Sequence, residues 1–308
     1  HRIARRQRQM CIRDSLDCKF EVDPCSIKVK NNKKLLAFID LVNGGSLQHL
    51  KLNGLTVIEK KKQFAYSDSF ASAVLFPFVN RLKNGIYSFK NEFHKFPINE
   101  SGGNAHHGIL FNKIFSLNNY FFKDNKATII LNYVSSGEVG YPFAFKITLE
   151  YIIGFDFLNM KLTVDNLSKN KIPYSLGWHP YFFSSDLSKS RVKFTKTYDI
   201  ITDKFGVAQH RSMINKNVEI NPSDSHLDNC FQLNNSEVEF TTSDYKMSIS
   251  TDRTPAFIHL YTPKIKNLFA IEITSGISNS LNHGIGLNYL DKESSTNMTW
   301  KIKIDSLK

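Results

Sequence analysis

Two segments of this 308-residue sequence place a proton-transferring side chain in apolar surroundings. Glu272 interrupts the apolar segment 269–276 (FAIEITSG), and a carboxylate is seldom buried there without a partner. His179 lies among aromatic residues in the segment 176–183 (LGWHPYFF), where partial burial would tune an imidazole for proton transfer. Each residue also has a plain structural interpretation. By strand alternation Glu272 could face solvent, and His179 could be a core histidine bonded to a carbonyl group.

Three further polar residues are candidates for holding a substrate. Asn80 and Arg81 follow an aromatic run in the segment 76–81 (FPFVNR), and arginine is scarce in this chain after residue 13. A guanidinium beside aromatic side chains suits a clamp for hydroxyl groups or an anion, although a surface ion pair would also explain it. Asp228, in the segment 226–231 (HLDNCF), is a candidate hydroxyl acceptor or a turn former.

Paired histidines, His106 and His107, occur in the glycine-rich segment 102–108 (GGNAHHG). Adjacent residues of an extended chain point to opposite sides, so we expect one imidazole to face a cleft and do not expect both to bind one ion. No third spaced histidine or nearby carboxylate completes a metal site, so no metal is predicted. His94, His259 and His283 lack such polar neighbours in sequence and are interpreted as structural or surface residues.

Strands must position these residues, because hydrophobic alternation with a period of two dominates the chain. The alternating segments 145–151 and 158–164, separated by Gly154, predict a hairpin. Further strands are predicted at 26–29, 35–42, 128–133, 238–242, 246–251, 257–261, 268–273 and 299–304. No window of a dozen residues has a helical period, so helices should be few and short. The sequence therefore predicts an all-β fold, a large antiparallel β-sandwich, with residues 21–308 in a single domain.

The net charge of +12 is unevenly distributed. Residues 1–17 hold five arginines and two aspartates, whereas the remainder of the chain uses lysine almost exclusively. We therefore set residues 1–20 aside as a disordered leader or translated vector sequence. The remaining lysines are dispersed rather than gathered in one basic stripe, which argues against nucleic acid as a partner.

The cysteines and the apolar runs predict a soluble, cytoplasmic protein without a membrane partner. The four cysteines form no CxxC pair, which favours reduced thiols. No stretch approaches the roughly 18 consecutive apolar residues of a membrane-spanning helix. No apolar core of a secretory signal follows the basic N-terminal residues.

Six segments, in the right order, resemble the aldose 1-epimerase (galactose mutarotase) family from about residue 26 to the C terminus. They are NRLKNGIYSF (80–89), NAHHG (104–108), YPFAF (141–145), HPYF (179–182), LDNCF (227–231), and EITSG (272–276) followed by NHGIGLNYL (282–290). The resemblance implies a galactose mutarotase-like supersandwich with an open sugar cleft, and interconversion of the α and β anomers of a free aldose without a metal or organic cofactor. The sequence departs from the family at Ile273, where proline is usual, at the doubled histidine before Gly108, and in the tail at 282–290, which lacks the common acidic ending.

The resemblance also implies roles for the candidate residues. Glu272 would be the general base and His179 the general acid, with His107 assisting at the ring oxygen. Sugar hydroxyls would be held by Arg81, Asp228 and Asn80. Such a pair starts with the imidazole protonated and the carboxylate ionised, and its pH profile falls on both sides. The sequence leaves open whether the substrate is galactose, glucose or a hexose 6-phosphate. It also leaves open a non-catalytic sugar-binding module, and it allows a monomer or a homodimer.

Overall fold

The computed structural model describes residues 18–31, 34–61, 63 and 65–307. Most of the segment that we set aside as a leader therefore lies outside the described residues. Its last residues, Lys19 and Phe20, pair with Lys30 and Val29 of the next strand.

Strands make up most of the regular structure. Up to residue 166 they are β1 (Lys19–Val22), β2 (Ser26–Asn31), β3 (Leu35–Asp40), β4 (Ser46–Leu52), β5 (Leu55–Ile58), β6 (Ala73–Leu75), β7 (Arg81–Leu82), β8 (Ile86–Phe89), β9 (Glu92–Lys95), β10 (Ala105–His106), β11 (Ser116–Lys123), β12 (Lys126–Ser135), β13 (Phe145–Ile153) and β14 (Phe157–Asn166). Beyond it they are β15 (Ile172–Tyr174), β16 (Gly177–His179), β17 (Tyr181–Phe183), β18 (Arg191–Thr202), β19 (Ala208–Ile220), β20 (Asp228–Leu233), β21 (Glu237–Thr241), β22 (Tyr245–Thr251), β23 (Phe257–Tyr261), β24 (Leu268–Thr274), β25 (Asn288–Leu290) and β26 (Ser295–Ser306).

Helices are short wherever the chain is described. They are α1 (Tyr66–Ser69), α2 (Ser280–His283) and three 3₁₀ turns at Lys83–Gly85, Leu110–Asn112 and Leu187–Lys189. None of the described helices has the length and apolar character needed to cross a membrane. The expectation of an all-β fold with few, short helices is confirmed.

The alternation seen in the sequence corresponds to strands with one buried face. On β13 the buried and half-buried positions alternate along the whole strand, and β13 pairs with β14 in the predicted antiparallel hairpin around Gly154. The predicted strand 257–261 coincides with β23, and the other predicted strands begin and end within a few residues of their observed limits. Period-two patterning was therefore a sound guide, since most of these strands pack one face on the core. The exception is β24, whose seven residues are all buried.

Antiparallel pairing arranges the strands in two rows that share β18. The first row runs β11, β12, β13, β14, β26, β22, β21. The second row runs β2, β3, β4, β5, β17, β24, β23, β20. Residues 191–193 of β18 pair with β21, and residues 196–200 pair with β20, so this long strand joins the two rows.

Buried side chains connect the two rows face to face, as in a β-sandwich. The indole N–H of Trp300, on β26, donates to the carbonyl of Ile273, on β24, with an N···O distance of 2.7 Å. The hydroxyl of Tyr151, on β13, donates to the carbonyl of Gly45, just before β4, also at 2.7 Å. Both aromatic rings are fully buried. Close packing of this kind fixes the strands of the second row, of which β20, β23 and β24 contribute to the candidate site.

Candidate active site

One cavity of about 390 Å³ brings together residues that are far apart in sequence. Strands β16, β17, β20, β23 and β24 contribute residues to its lining, together with the segments around residues 67–70, 80–81, 99–101 and 106–107. All six residues that were assigned to a site from the sequence line it: Asn80, Arg81, His107, His179, Asp228 and Glu272. The sequence prediction is thus consistent with a single site.

Glu272 enters the cavity from β24, a strand whose seven residues are all buried. Its neighbours Ile271 and Ile273 point to the opposite face and belong to the main hydrophobic core. Glu272 itself is only 2% exposed, so the solvent-facing alternative does not apply. A buried carboxylate on the cavity side of a rigid central strand needs a polar partner, and β16 supplies it.

His179, at the end of β16, is that partner. Its Nδ1 lies 3.2 Å from Oε1 of Glu272, within ion-pair range although not aligned as a hydrogen bond. Its Nε2 lies 3.4 Å from the hydroxyl oxygen of Tyr181. Both ring nitrogens of His179 thus lie next to polar side chains of the cavity, which differs from a core histidine bonded to a carbonyl group. Close approach of β16 to β24 depends on Gly177, because a Cβ there would lie 2.8 Å from the side chain of Thr274.

Burial changes the proton affinity of both members of this pair. Loss of solvation raises the pKa of Glu272 to about 7 and lowers the pKa of His179 to about 3. Between about pH 3 and pH 7 the pair therefore holds one proton, and it loses this proton as the pH rises through about 7. The sequence-based expectation placed that proton on His179, whereas burial favours it on Glu272. The separation of 3.2 Å between Nδ1 and Oε1 is compatible with a proton on either group.

The paired histidines both line the cavity, so the expectation that only one would face it is wrong. The expectation assumed an extended backbone, but His107 has a left-handed conformation with φ of 62°. The rings of His106 and His107 consequently stack with their centroids 3.7 Å apart. Burial, then neighbouring positive groups, lowers the pKa of each well below the ordinary value, so both imidazoles are neutral at pH 7.

Arg81 is held by acidic and amide groups. Its Nε donates to Oε1 of Glu100 at 2.7 Å, and one terminal nitrogen donates to Oδ1 of Asn80 at 3.3 Å. The same terminal nitrogen lies 4.0 Å from a carboxylate oxygen of Asp228. Gly206 leaves room for this guanidinium, since a Cβ there would lie 2.5 Å from it. Sequence reasoning missed Glu100, which lies in a loop with no strand pattern.

Asp228 has a histidine partner, His259, which was wrongly interpreted as a structural or surface residue. Nε2 of His259 lies 2.7 Å from Oδ1 of Asp228, and the imidazole lines the cavity beside Glu272. His259 stands directly opposite Glu272 in the pairing of β23 with β24. Pairing the two predicted strands 257–261 and 268–273 as a hairpin would have indicated this neighbourhood.

The site can therefore move one proton between a carboxylate and an imidazole, with amide, guanidinium and carboxylate groups placed to hold hydroxyls. Among the described residues, no three histidine, cysteine, aspartate or glutamate side chains are grouped so that they could hold a metal ion.

Fold and site together define a protein of the galactose mutarotase-like class. Residues 26–292 match the aldose 1-epimerase family, and the chain belongs to it. A curated relative, the uncharacterized protein YihR of Escherichia coli (strain K12), is 25% identical over 140 residues. That match covers 45% of this chain and 44% of YihR, so the chain matches less than half the length of this relative.

Solved structures share the fold over nearly the whole chain. A galactose mutarotase-like protein from Clostridium acetobutylicum superposes with a TM-score of 0.83 at 19% identity, covering 94% of this chain and 99% of that one. Galactose 1-epimerase from Lactobacillus acidophilus NCFM gives a TM-score of 0.77 at 18% identity, covering 95% and 99% of the two chains. The supersandwich inferred from the sequence motifs is confirmed.

Proposed function

We propose that this protein is an aldose 1-epimerase that interconverts the α and β anomers of a neutral free aldose of the galactose or glucose type. The observation that carries the proposal is the 3.2 Å approach of His179 Nδ1 to Glu272 Oε1 inside a cavity of about 390 Å³. A cavity of this size is in the range that holds one small ligand. Family membership and fold support the same activity.

Mutarotation requires an acid and a base at two oxygens that are bonded to the same carbon. Glu272 takes the proton of the anomeric hydroxyl while His179 gives a proton to the ring oxygen. The bond from C1 to the ring oxygen breaks with its electron pair on that oxygen, and O1 becomes a carbonyl. Rotation about the C1–C2 bond presents the other carbonyl face, and closure returns both protons to their donors. Because O1 and the ring oxygen share C1, a base and an acid only 3.2 Å apart can serve both.

The proton count of this reaction matches that of the pair. Ring opening begins with Glu272 ionised and His179 protonated, and it ends with the carboxyl neutral and the imidazole neutral. Both arrangements hold one proton on the pair, so ring opening through the sugar needs no net uptake or release of a proton by the site. Positioned acid and base groups each contribute about 10²- to 10⁴-fold, which is sufficient for a reaction that also proceeds slowly in water.

The charges of the cavity favour a neutral sugar over a hexose 6-phosphate. Arg81 is engaged by Glu100 and lies near Asp228, and the imidazole of His259 is bonded to Asp228. The described lining also includes Asp68 and Glu272. A phosphate would have to displace a carboxylate from Arg81 and would meet further negative groups, whereas sugar hydroxyls can donate to those same carboxylates.

Polarimetry of freshly dissolved α-galactose and α-glucose tests the proposal. We expect the wild-type protein to accelerate the relaxation and Glu272→Gln to lower kcat/KM by about 10²- to 10⁴-fold. His210→Gln is a matched control, because this histidine is exposed on β19 and does not line the cavity. Wild-type protein that relaxes no common aldose faster than Glu272→Gln would contradict the proposal. Sugar binding detected by calorimetry without anomerisation would point instead to a non-catalytic binding module.

A further inference from the structure

His259 occupies a position that couples it to the proton-transferring pair. It lies on β23 directly opposite Glu272 on β24. Side chains of directly paired residues project from the same face of a sheet, with Cβ atoms about 4.5–5.5 Å apart. The imidazole is only 12% exposed, so little water intervenes to screen its charge.

The charged form of His259 is stabilised from the neighbouring strand. Burial alone would disfavour the imidazolium, but the hydrogen bond to Asp228 and the nearby thiol of Cys230 outweigh it and raise the pKa of His259 to about 10. The same contact helps to lower the pKa of Asp228 against the effect of its burial. His259 and Asp228 are therefore both charged through the neutral pH range.

We propose that His259, held as an imidazolium by Asp228, is a positioning residue whose fixed charge favours the ionised form of Glu272 and makes His179 a stronger acid. The inference rests on the proposed epimerase function and extends it to a residue that does not itself exchange a proton with the substrate. The charge of His259 lowers the proton affinity of the Glu272–His179 pair.

The charges that surround the pair show why His259 matters. Several titratable or charged groups face the pair from neighbouring elements: Arg81, His106, His107, Tyr181, Asp228 and His259. Burial has the largest effect on the pKa of Glu272 and raises it; His259 then lowers this pKa, Asp228 raises it and Arg81 lowers it. His259 also lowers the pKa of His179, after burial. Arg81 and His259 each have a carboxylate partner, Glu100 and Asp228. His259 lies directly opposite Glu272 on the adjacent strand and lowers its pKa more than Arg81 does.

Replacing His259 by neutral glutamine should move the kcat/KM profile to higher pH as a whole. A unit charge about 6 Å away at an effective dielectric constant of about 20 changes a pKa by about 1 to 2 units. We expect the acidic and the alkaline limb of the profile both to move to higher pH by about 1 to 2 units in His259→Gln. His259→Lys retains a positive charge and should restore the profile to within about half a unit, which a merely structural role of the imidazole would not explain. His210→Gln should leave it unchanged.

A measurement without substrate separates this inference from the epimerase function. In protein labelled with ¹³C at the glutamate Cδ, the resonance that is missing in Glu272→Gln reports the titration of Glu272. We expect its midpoint near 7 in the wild type, higher by about 1 to 2 units in His259→Gln, and close to the wild-type value in His259→Lys. His259→Asn replaces the glutamine variant if the latter does not fold.

The outcomes are distinguishable. An unmoved Glu272 midpoint in folded His259→Gln overturns the inference, whether or not the wild type is an epimerase. A moved midpoint in a protein that anomerises no aldose supports the charge coupling and overturns the proposed function. A moved midpoint together with a pH profile that stays in place overturns the positioning role in catalysis.

Discussion

The backbone N–H of His107 donates to the carbonyl of Asn80 at 2.9 Å, and both residues have left-handed backbone conformations. Next to this bond, β10 pairs with β7, so that His106 stands opposite Arg81. The segments around residues 80–81 and 106–107 are thereby joined into one wall of the cavity. Non-glycine residues with positive φ are uncommon and often occur at functional sites, where the surrounding structure holds them in place.

His107→Asn should therefore impair catalysis without disturbing this wall. Asparagine accepts a left-handed backbone, so the bond to Asn80 can persist while the imidazole is lost. Nδ1 of His107 is buried and has no hydrogen-bond partner among the described residues, which leaves it available to a substrate oxygen. We expect kcat/KM to fall about 10- to 100-fold, as for the loss of one strong hydrogen bond, with little change in the melting temperature. Wild-type kinetics in this variant would show that His107 does not contact the sugar.

The pH dependence of kcat/KM should follow the proton count of the Glu272–His179 pair. With the pKa of Glu272 raised to about 7 and that of His179 lowered to about 3, the productive one-proton state is lost above the first value and below the second. We expect a plateau in mildly acidic solution and a fall that approaches tenfold per pH unit above 7. Polarimetric rates between pH 4 and 9, corrected for the uncatalysed reaction, measure it. Activity that rises from pH 7 to 9 would contradict this assignment.

Glu272→Gln should stabilise the fold at alkaline pH. Burial raises the pKa of Glu272 from 4.5 to about 7, so between these values the native state binds more protons than the unfolded chain and stability falls as pH rises. Above pH 7 the ionised carboxylate costs about 3 kcal/mol, which the neutral amide of nearly the same shape removes. Urea unfolding at pH 8 should show this gain, and at pH 5 the difference should shrink to below about 1 kcal/mol. An equal difference at both pH values would mean that Glu272 is not desolvated.

The sequence predicted the strands well because their patterning is local. Alternating burial along β13 and β14 needs no knowledge of distant contacts, and a loop residue such as Gly154 marks the turn between them. The proximity of Glu272 and His179 could not be predicted from local patterning, because the sequence of β24 carries no information about its contact with β16. Only the order of motifs shared with a known family implied that the two residues share a site.

What could not be predicted depends on register and on loops. His259 faces Glu272 only in the observed pairing of β23 with β24, and a shift by one residue would turn it to the opposite face. Glu100 reaches Arg81 from a segment without periodicity. The left-handed backbone of His107 overturned the alternation on which its orientation was predicted. Each of these features is set by tertiary contacts rather than by the neighbouring sequence.

Glu100 should control discrimination between neutral and phosphorylated sugars. Its carboxylate accepts from Nε of Arg81 at 2.7 Å and occupies the guanidinium that would otherwise bind an anion. We expect wild-type protein to have no lower KM for glucose 6-phosphate than for glucose. Glu100→Gln should lower the KM for glucose 6-phosphate, relative to the KM for glucose, by about 10-fold. This is the expected effect of one charge-assisted hydrogen bond from Arg81 to the phosphate group. Ser101→Ala, in the adjacent lining position, should leave the ratio unchanged.

A wild-type preference for glucose 6-phosphate would contradict this account directly, because it would require a phosphate site that the carboxylates around Arg81 oppose. Arg81→Lys tests whether Arg81 serves a neutral sugar or a phosphate group. If Arg81 mainly orients Asn80, Glu100 and the sugar hydroxyls, lysine should impair turnover of glucose, since it cannot reproduce the forked contacts of the guanidinium.

Gly108 should be far less tolerant of a side chain than Gly103, although both have left-handed backbone. A Cβ at Gly108 would lie 2.1 Å from the carbonyl oxygen of Phe76, whereas a Cβ at Gly103 would meet nothing within 4 Å. Gly103→Ala should cost about 1 to 2 kcal/mol, the ordinary penalty for the conformation. Gly108→Ala should cost at least about 3 kcal/mol, because the backbone must also move away from Phe76.

Urea unfolding of the two alanine variants measures this difference, and activity adds a second comparison. Gly108 lies between His107 and Ile109, and the backbone N–H of Ile109 donates to the carbonyl of Phe76. A forced shift of the backbone at Gly108 should therefore displace the imidazole of His107. We expect kcat/KM to fall even for the fraction of Gly108→Ala that remains folded. Gly103→Ala should retain its activity. Equal losses of stability in the two variants would mean that the approach of Gly108 to Phe76 is not a constraint on the site.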